Sequence, residues 1–295
     1  MTFNSNHKSF TLIELLVVIA VISVISAVVV VNLSGGTDKA EIAKIQAFSA
    51  KIGIELADSV VSKWNFDEAT GTTTHDKWEG NDGIFGGGTS DYYPAWRSGE
   101  DCISGSCLEF DGTDDYVDCG NSSTLDVTEE LTVETWVKIN TIEDNHRIID
   151  RGTAYFFSMD SSDNLTFSLY DTGYRYVRAP VQTDVWYHAV ATCKRSDKIK
   201  LYVNGEFKDD WAIGAEGSWG NSSHLGFGNW VQSNGDPGYG SICFDGLIDE
   251  VRIYNSVASI TQIQSNYLAG LQKLLSKGAI SQEEYNQRVK KIVLE

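Results

Sequence analysis

The sequence predicts an N-terminal transmembrane and stalk α-helix, a mainly-β two-sheet sandwich, and a short C-terminal helical hairpin. Three observations predict it. A polar leader gives way to one long apolar run near the N-terminus, the middle of the chain alternates with period two between turn residues, and the last stretch returns to helical spacing.

The apolar run extends from Leu15 to Val31, about 17 residues, and Phe10 to Ile13 lengthen it to about 22, enough to span a bilayer. Lys8 in the leader favours keeping that side in the cytoplasm, which sends the rest of the chain outward. Glu14 is the run's one charge, and a carboxylate in lipid requires a partner. An ordinary signal peptide needs neither that length nor that charge. Asn32 to Gly36 breaks the helix, and Thr37 or Asp38 caps a second one. Its stripe of Ile42, Ile45, Phe48, Ile52, Leu56 and Val60 recurs at three- and four-residue steps. The expected organisation is leader 1–9, transmembrane helix 10–31, amphipathic stalk helix 37–62, β head 63–257 and helical segment 258–295.

In the head, Leu131 to Val137, Val185 to Cys193 and Ile199 to Val203 alternate cleanly, and Asn204-Gly205 is a two-residue hairpin turn. Many strands without intervening helices argue for a jelly-roll sandwich. Beyond it, Ile260, Ile263 and Tyr267 form an apolar face that can pack back on the sheets. Lys277-Gly278 ends that helix, and Ser281 to Glu284 opens another with capping-box spacing.

The formal charge of −18 argues against nucleic-acid partners, which require clustered Lys and Arg. Five Cys follow the apolar run, consistent with export. Cys102 and Cys107 enclose four residues, a loop short and flexible enough to close by a disulfide, while Cys119, Cys193 and Cys243 serve either as further partners or as small buried hydrophobes. Catalytic constellations are missing from the sequence: no Gly-x-Ser-x-Gly elbow, phosphate loop or His-Glu-x-x-His pair occurs, and the five His are scattered. His188 shares a strand face with Trp186 and Val190 and reads as a core histidine. The expectation is a non-enzyme. Aromatic residues in Gly- and Ser-rich loops, chiefly Trp96, Trp219, Trp230 and Tyr239, are candidates for stacking on sugar faces.

Two resemblances sharpen this reading. Lys8 to Ala20, with Phe10-Thr11-Leu12-Ile13-Glu14 at its centre, resembles the processing signal of type IV pilins and pseudopilins, with Ser9 where Gly usually precedes the cut. The resemblance implies cleavage by a prepilin peptidase between Ser9 and Phe10, methylation of Phe10, and pairing of Glu14 with a neighbouring subunit's Phe10 amine. It also implies a single-pass protein of the cytoplasmic membrane that becomes part of an extracellular pilus.

Trp64 to Glu68, Leu108 to Gly112, Leu131 to Val137, Trp186 to Val190, Leu201 to Gly205 and Phe244 to Tyr254 resemble, in order, the laminin-G-like (concanavalin-like) jelly roll. That family implies a structural Ca2+ among Asp67, Asp76, Asp111, Asp114, Asp115, Asp245 and Asp249, best supported at Asp67, Asp111 and Asp249, and extracellular glycans or surface receptors as ligands. Some members are glycosidases, but Asp249-Glu250 lacks the alternating carboxylates of their strand pattern. The expected function is a pilus or pseudopilus subunit with an adhesive head; the alternative is a membrane-tethered lectin that does not polymerise.

Overall fold

The computed structural model describes residues 59–215, 219, 223–238 and 242–293. The chain divides into two compact units, Met1–Ala50 and Lys51–Glu295. The helix expected over 10–31 and nearly all of that over 37–62 therefore lie outside the described residues. No helix among those described is long and apolar enough to cross a membrane.

The head is a sandwich of two antiparallel sheets. The first runs β14 (Glu206–Ala212), β13 (Lys198–Val203), β12 (Trp186–Lys194), β7 (Glu130–Ile139), β16 (Asp245–Tyr254), β5 (Ser106–Asp111), β4 (Ala95–Ser98), with β1 (Val60–Trp64) also on β16. The second runs β11 (Tyr174–Pro180), β10 (Asn164–Tyr170), β9 (Tyr155–Met159), β8 (Arg147–Asp150), β15 (Gly226–Phe227), β6 (Val117–Asp118), β3 (Gly83–Phe85), β2 (Thr73–Thr74). Alternate residues meet between them. Leu131, Val133, Val137 and Ile139 of β7 and Ala189, Ala191 and Cys193 of β12 join one core with Phe157, Phe167 and Val177 of the second sheet. Asn204 and Gly205 adopt φ of 55° and 77°, as a primed hairpin turn between β13 and β14 requires.

The sequence expectation fails at the entrance. Val60, assigned to the stalk helix, begins β1 instead, with Val60 opposite Tyr254 and Trp64 opposite Val251. Two β-branched residues at 60 and 61 suit a strand, and β16 offers the edge. It pairs with β5 only through Ile248, and β1 takes over from Val251. The switch falls at a bulge spanning Asp249 to Arg252, where Glu250 is held at φ 50°.

At the C-terminus, α1 (Ile260–Lys277) is capped by Ser259, whose side chain accepts from the Gln262 amide, and ends at Gly278 with φ 80°. Helix α2 (Gln282–Val293) follows, with Ser281 Oγ accepting from the Glu284 amide. Ile263 and Tyr267 are buried against the sandwich as expected, whereas Ile260, at the first turn, is 42% exposed.

Candidate functional site

Ser9, Phe10 and Glu14, expected in processing and assembly, lie outside the described residues, as does Tyr239. The remaining expected site residues can be placed.

Cys102 and Cys107 form a disulfide, while Cys119, Cys193 and Cys243 are buried thiols. The disulfide loop is held from two sides by carboxylates that had been expected to bind metal. Asp249 is fully buried; its Oδ2 accepts from the Ile103 and Ser104 amides at 2.9 and 3.0 Å, and its Oδ1 accepts from the Glu250 amide at 2.7 Å. Burial and neighbouring Glu250 push its carboxyl well above the ordinary range despite those donors. Asp67 accepts from the Ser106 amide and from Asn65 Nδ2. Both therefore anchor backbone.

Asp111 belongs elsewhere. Among the described residues, one group of carboxylates is tight enough to share a cation: Asp111, Asp114 and Asp115, whose ligand oxygens lie within 4.8 Å of one another. The expected trio of Asp67, Asp111 and Asp249 does not converge on one point, and register is the reason. Asp111 pairs across the sheet with Asp245, so Asp249 sits four residues further along β16, roughly 13 Å away. Burial, then Asp111, raises Asp115 to about 7, and Asp114 is raised for the same causes. Three hard oxygen donors this close together fit a divalent cation of the calcium type.

The outer face of the first sheet is closed by the hairpin. There, Glu134 Oε1 lies 2.9 Å from His188 Nε2 and accepts from Arg252 Nη1 at 2.9 Å, while Oε2 accepts from Asn266 Nδ2 of α1 and from the Tyr254 hydroxyl. Glu250 accepts from Arg252 Nη2 and from Lys273 of α1. Burial alone would raise Glu134, but Arg252 and His188 overcome it and hold the carboxyl at about 2. Trp136, His188 and Tyr267 form a cluster of rings in mutual contact: Trp136 is tilted on His188 at 5.1 Å, and Tyr267 stacks on Trp136 at 5.8 Å and on His188 at 6.0 Å between centroids. His188 is accordingly a core histidine, as the strand pattern predicts.

The outer face of the second sheet carries a different set. Cross-strand register lines up Arg147, Ser158, Thr166 and Arg178 in one row and Asp150, Phe156, Ser168 and Tyr176 in the next, with Tyr170 opposite Tyr174 beyond. The Arg147 guanidinium lies over the Phe156 ring, 3.3 Å from its centroid, and its Nε is 3.5 Å from Asp150 Oδ2. Asp150 and Ser168 are buried. Burial raises the Asp150 carboxyl to about 7 against the opposing pull of Arg147. Nε and Nη1 of Arg147 and Oγ of Ser168 are buried and make no hydrogen bond among the described residues. Tyr170 and Tyr174 stay 38% and 37% exposed, edge to face at 5.2 Å.

Loop aromatics fare unevenly. Trp219 is buried in the core under the Arg195 guanidinium, and Trp96 donates to the Gly71 carbonyl and packs on Phe85, so these two rings plug the sandwich. Trp230 stays 37% exposed. Tyr174, Tyr176 and Arg178 were missed, although their period-two spacing puts all three on one strand face.

Residues 111–264 match the family described as the concanavalin A-like lectin/glucanases superfamily, and residues 4–30 match the prokaryotic N-terminal methylation motif. No curated protein matches the chain. Among solved structures, the binding domain of Paraclostridial mosquitocidal protein 1 superposes with a TM-score of 0.58 at 12% identity, over 73% of this chain and 53% of that one. Domain 4 of a GH43 extracellular arabinanase from Geobacillus stearothermophilus, in complex with arabinotriose, gives 0.55 at 19% identity, over 70% and 97%. A mutant Trypanosoma rangeli sialidase displaying trans-sialidase activity gives 0.55 at 12%, over 74% and 34%. The chain thus spans about half the length of the mosquitocidal binding domain. At such identities the likeness is one of fold.

Proposed function

Because the chain belongs to the concanavalin A-like lectin/glucanases superfamily and carries a prokaryotic N-terminal methylation motif, we propose that it is a type IV pilin-like subunit whose head binds carbohydrate. The observation that carries the reading is the fusion itself: a lectin-like sandwich follows a segment whose apolar run contains a lone carboxylate, Glu14. On this reading prepilin peptidase cuts between Ser9 and Phe10. The subunit then spans the cytoplasmic membrane until other pilin subunits receive it into a pilus or pseudopilus, which displays the head outside the cell. Packed stalk helices would bring Glu14 to the Phe10 amine of a neighbour, offsetting the cost of a charge in lipid. Extracellular glycans or glycosylated surface receptors are the partners. We read the head as a binding module, since Asp150 faces an arginine rather than the second carboxylate that glycoside hydrolysis uses.

The test is Glu14→Ala, with mass spectrometry of the N-terminus and counting of subunits in filaments. Expected are normal cleavage and methylation at Phe10 but poor incorporation. Filaments holding the variant at wild-type occupancy would remove Glu14 from the assembly step, and absence of the wild-type chain itself from filaments would favour a tethered lectin that does not polymerise.

Within this reading a structural Ca2+ is held by Asp111, Asp114 and Asp115. Asp115's raised pKa means that the stability it contributes is full below its ordinary value and is lost as pH rises through about 7. A bound cation restores that loss. Melting of the protein in Ca2+ against chelator should therefore differ by several degrees at pH 8 and far less at pH 5; equal shifts at both, or none at pH 8, would remove the site.

A further inference from the structure

We propose that the outer face of the second sheet, around Arg147, Asp150 and Tyr174, is the head's sugar-binding site and takes neutral, hydroxyl-rich glycan in preference to acidic glycan. The inference rests on the carbohydrate reading above and adds its location and ligand class.

The face is built as a polar floor with an aromatic margin. Ser168 is 0% exposed and Asp150 1%, yet both stand on the side of the sheet that points away from the core, because Phe157, Leu165, Phe167 and Leu169 take the inward positions. A buried polar atom without a hydrogen bond costs roughly 1–3 kcal/mol; among the described residues, Ser168 Oγ and Nε and Nη1 of Arg147 are such atoms gathered on this face, as His188 Nδ1 and Tyr155 Oη are elsewhere in the head. Arg147 supplies N–H donors, and Asp150, whose Oδ1 already accepts from the Gly152 amide at 2.6 Å, offers Oδ2 as an acceptor 3.5 Å from Arg147 Nε. That is the complement of two adjacent sugar hydroxyls, each of which accepts from the guanidinium and donates to the carboxylate or to Ser168. Tyr174 is 37% exposed and stands edge-on to Phe156 at 5.5 Å, offering a ring to the apolar face of a pyranose or furanose.

Position supports the same assignment. The opposite outer face is filled by α1, which inserts Tyr267 onto Trp136. On the second sheet, the segment carrying Val231 lies directly on β15, since a Cβ on Gly226 would come within 2.5 Å of Val231 Cγ2. It walls the floor at the Asp150 side, where Gly226 pairs with Asp150. Ligand class follows from charge. Asp150 already answers Arg147, and a chain of formal charge −18 repels uronates and sialates at long range.

The experiment uses the full chain in detergent micelles over immobilised arabinan, xylan and mannan as neutral probes, and polygalacturonate and alginate as acidic ones. Retention is expected on at least one neutral polymer, falling about tenfold in Arg147→Ala and Tyr174→Ala. Trp78→Ala, an exposed ring after β2 at the opposite edge of the same sheet, should leave it unchanged. Tyr174 is exposed enough that its truncation leaves a folded protein to measure, whatever Arg147→Ala does to folding. Neutral-glycan retention that ignores both variants would overturn the site while leaving the lectin reading intact. Retention on acidic polymers alone would overturn the ligand class. No retention on any of the five would remove the carbohydrate reading itself.

Discussion

The sandwich has two outer faces with the same period-two construction and opposite treatment of their polar residues. On the first sheet Glu134, Glu250 and Arg252 are two negative groups and one positive, and α1 closes over them with Asn266, Tyr267 and the second cation, Lys273. On the second sheet Arg147, Asp150 and Ser168 are as deeply set, but part of their hydrogen-bonding capacity is unspent. Burial alone therefore does not separate scaffold from site in this head. What separates them is the cover: α1 closes over the first face, where His188 Nδ1 is also buried without a hydrogen bond among the described residues, whereas the second face keeps Tyr170 and Tyr174 exposed beside its polar row.

The largest effect should come from breaking the closed face. Glu134→Ala leaves the half-buried Arg252 without its main counter-charge and the buried His188 without its partner, and removing one member of a buried pair typically costs about 3–5 kcal/mol. Urea unfolding should show it. Arg147→Ala on the open face should cost clearly less, and its cost should depend on pH. The stability contributed by Asp150 is full below its ordinary value and is lost as pH rises through about 7. Without Arg147 the carboxyl simply keeps its proton over a wider range, so the penalty should be small at pH 5 and grow towards pH 8. Equal penalties for the two variants at pH 5 would erase the distinction between the faces.

Next in size is Gly270→Ala, which tests how closely α1 is fitted. In an exposed helix interior this change stabilises by nearly 1 kcal/mol. Here the new Cβ would collide with the Trp136 indole, so a net loss of about 1–3 kcal/mol is expected in thermal unfolding. A gain would mean that the hairpin rests loosely on the sheet.

Much of this architecture was legible in the sequence, and the rest was hidden for identifiable reasons. Strand β7 follows from the alternation of Leu131 to Val137, the hairpin turn from Asn204-Gly205, and the end of α1 from Gly278, because each is dictated by neighbours along the chain. The buried network is not local: His188 lies 54 residues from Glu134, and Arg252 lies 118. The separation of Asp111 from Asp249 was hidden because strand order does not fix register, and a four-residue offset sets Asp249 against the disulfide loop. Val60 continued a helical stripe yet entered a strand, because β16 had an unfilled edge that only tertiary structure reveals. The tyrosine row of β11 was legible by its spacing, but sugar-stacking rings were sought in loops, where Trp219 proved to be core.

The smallest change gives the finest comparison. Thr132 on the first face donates from Oγ1 to the Ser256 carbonyl at 2.6 Å and accepts from the Ala258 amide at 2.9 Å, tying β7 to the segment that leads into α1. Ser168 on the second face is equally buried, but its hydroxyl has no partner among the described residues. Thr132→Ala should therefore cost about 1–3 kcal/mol, because it strands a buried amide and a carbonyl. Ser168→Ala removes only an unmatched polar group, so it should be neutral or stabilise by up to ~1 kcal/mol while weakening retention on the neutral glycan. Urea midpoints for the two variants, measured with unchanged m-values, decide the matter. A Ser168→Ala loss as large as that of Thr132→Ala would mean that the hydroxyl is engaged within the folded chain, and the second face would then be scaffold like the first.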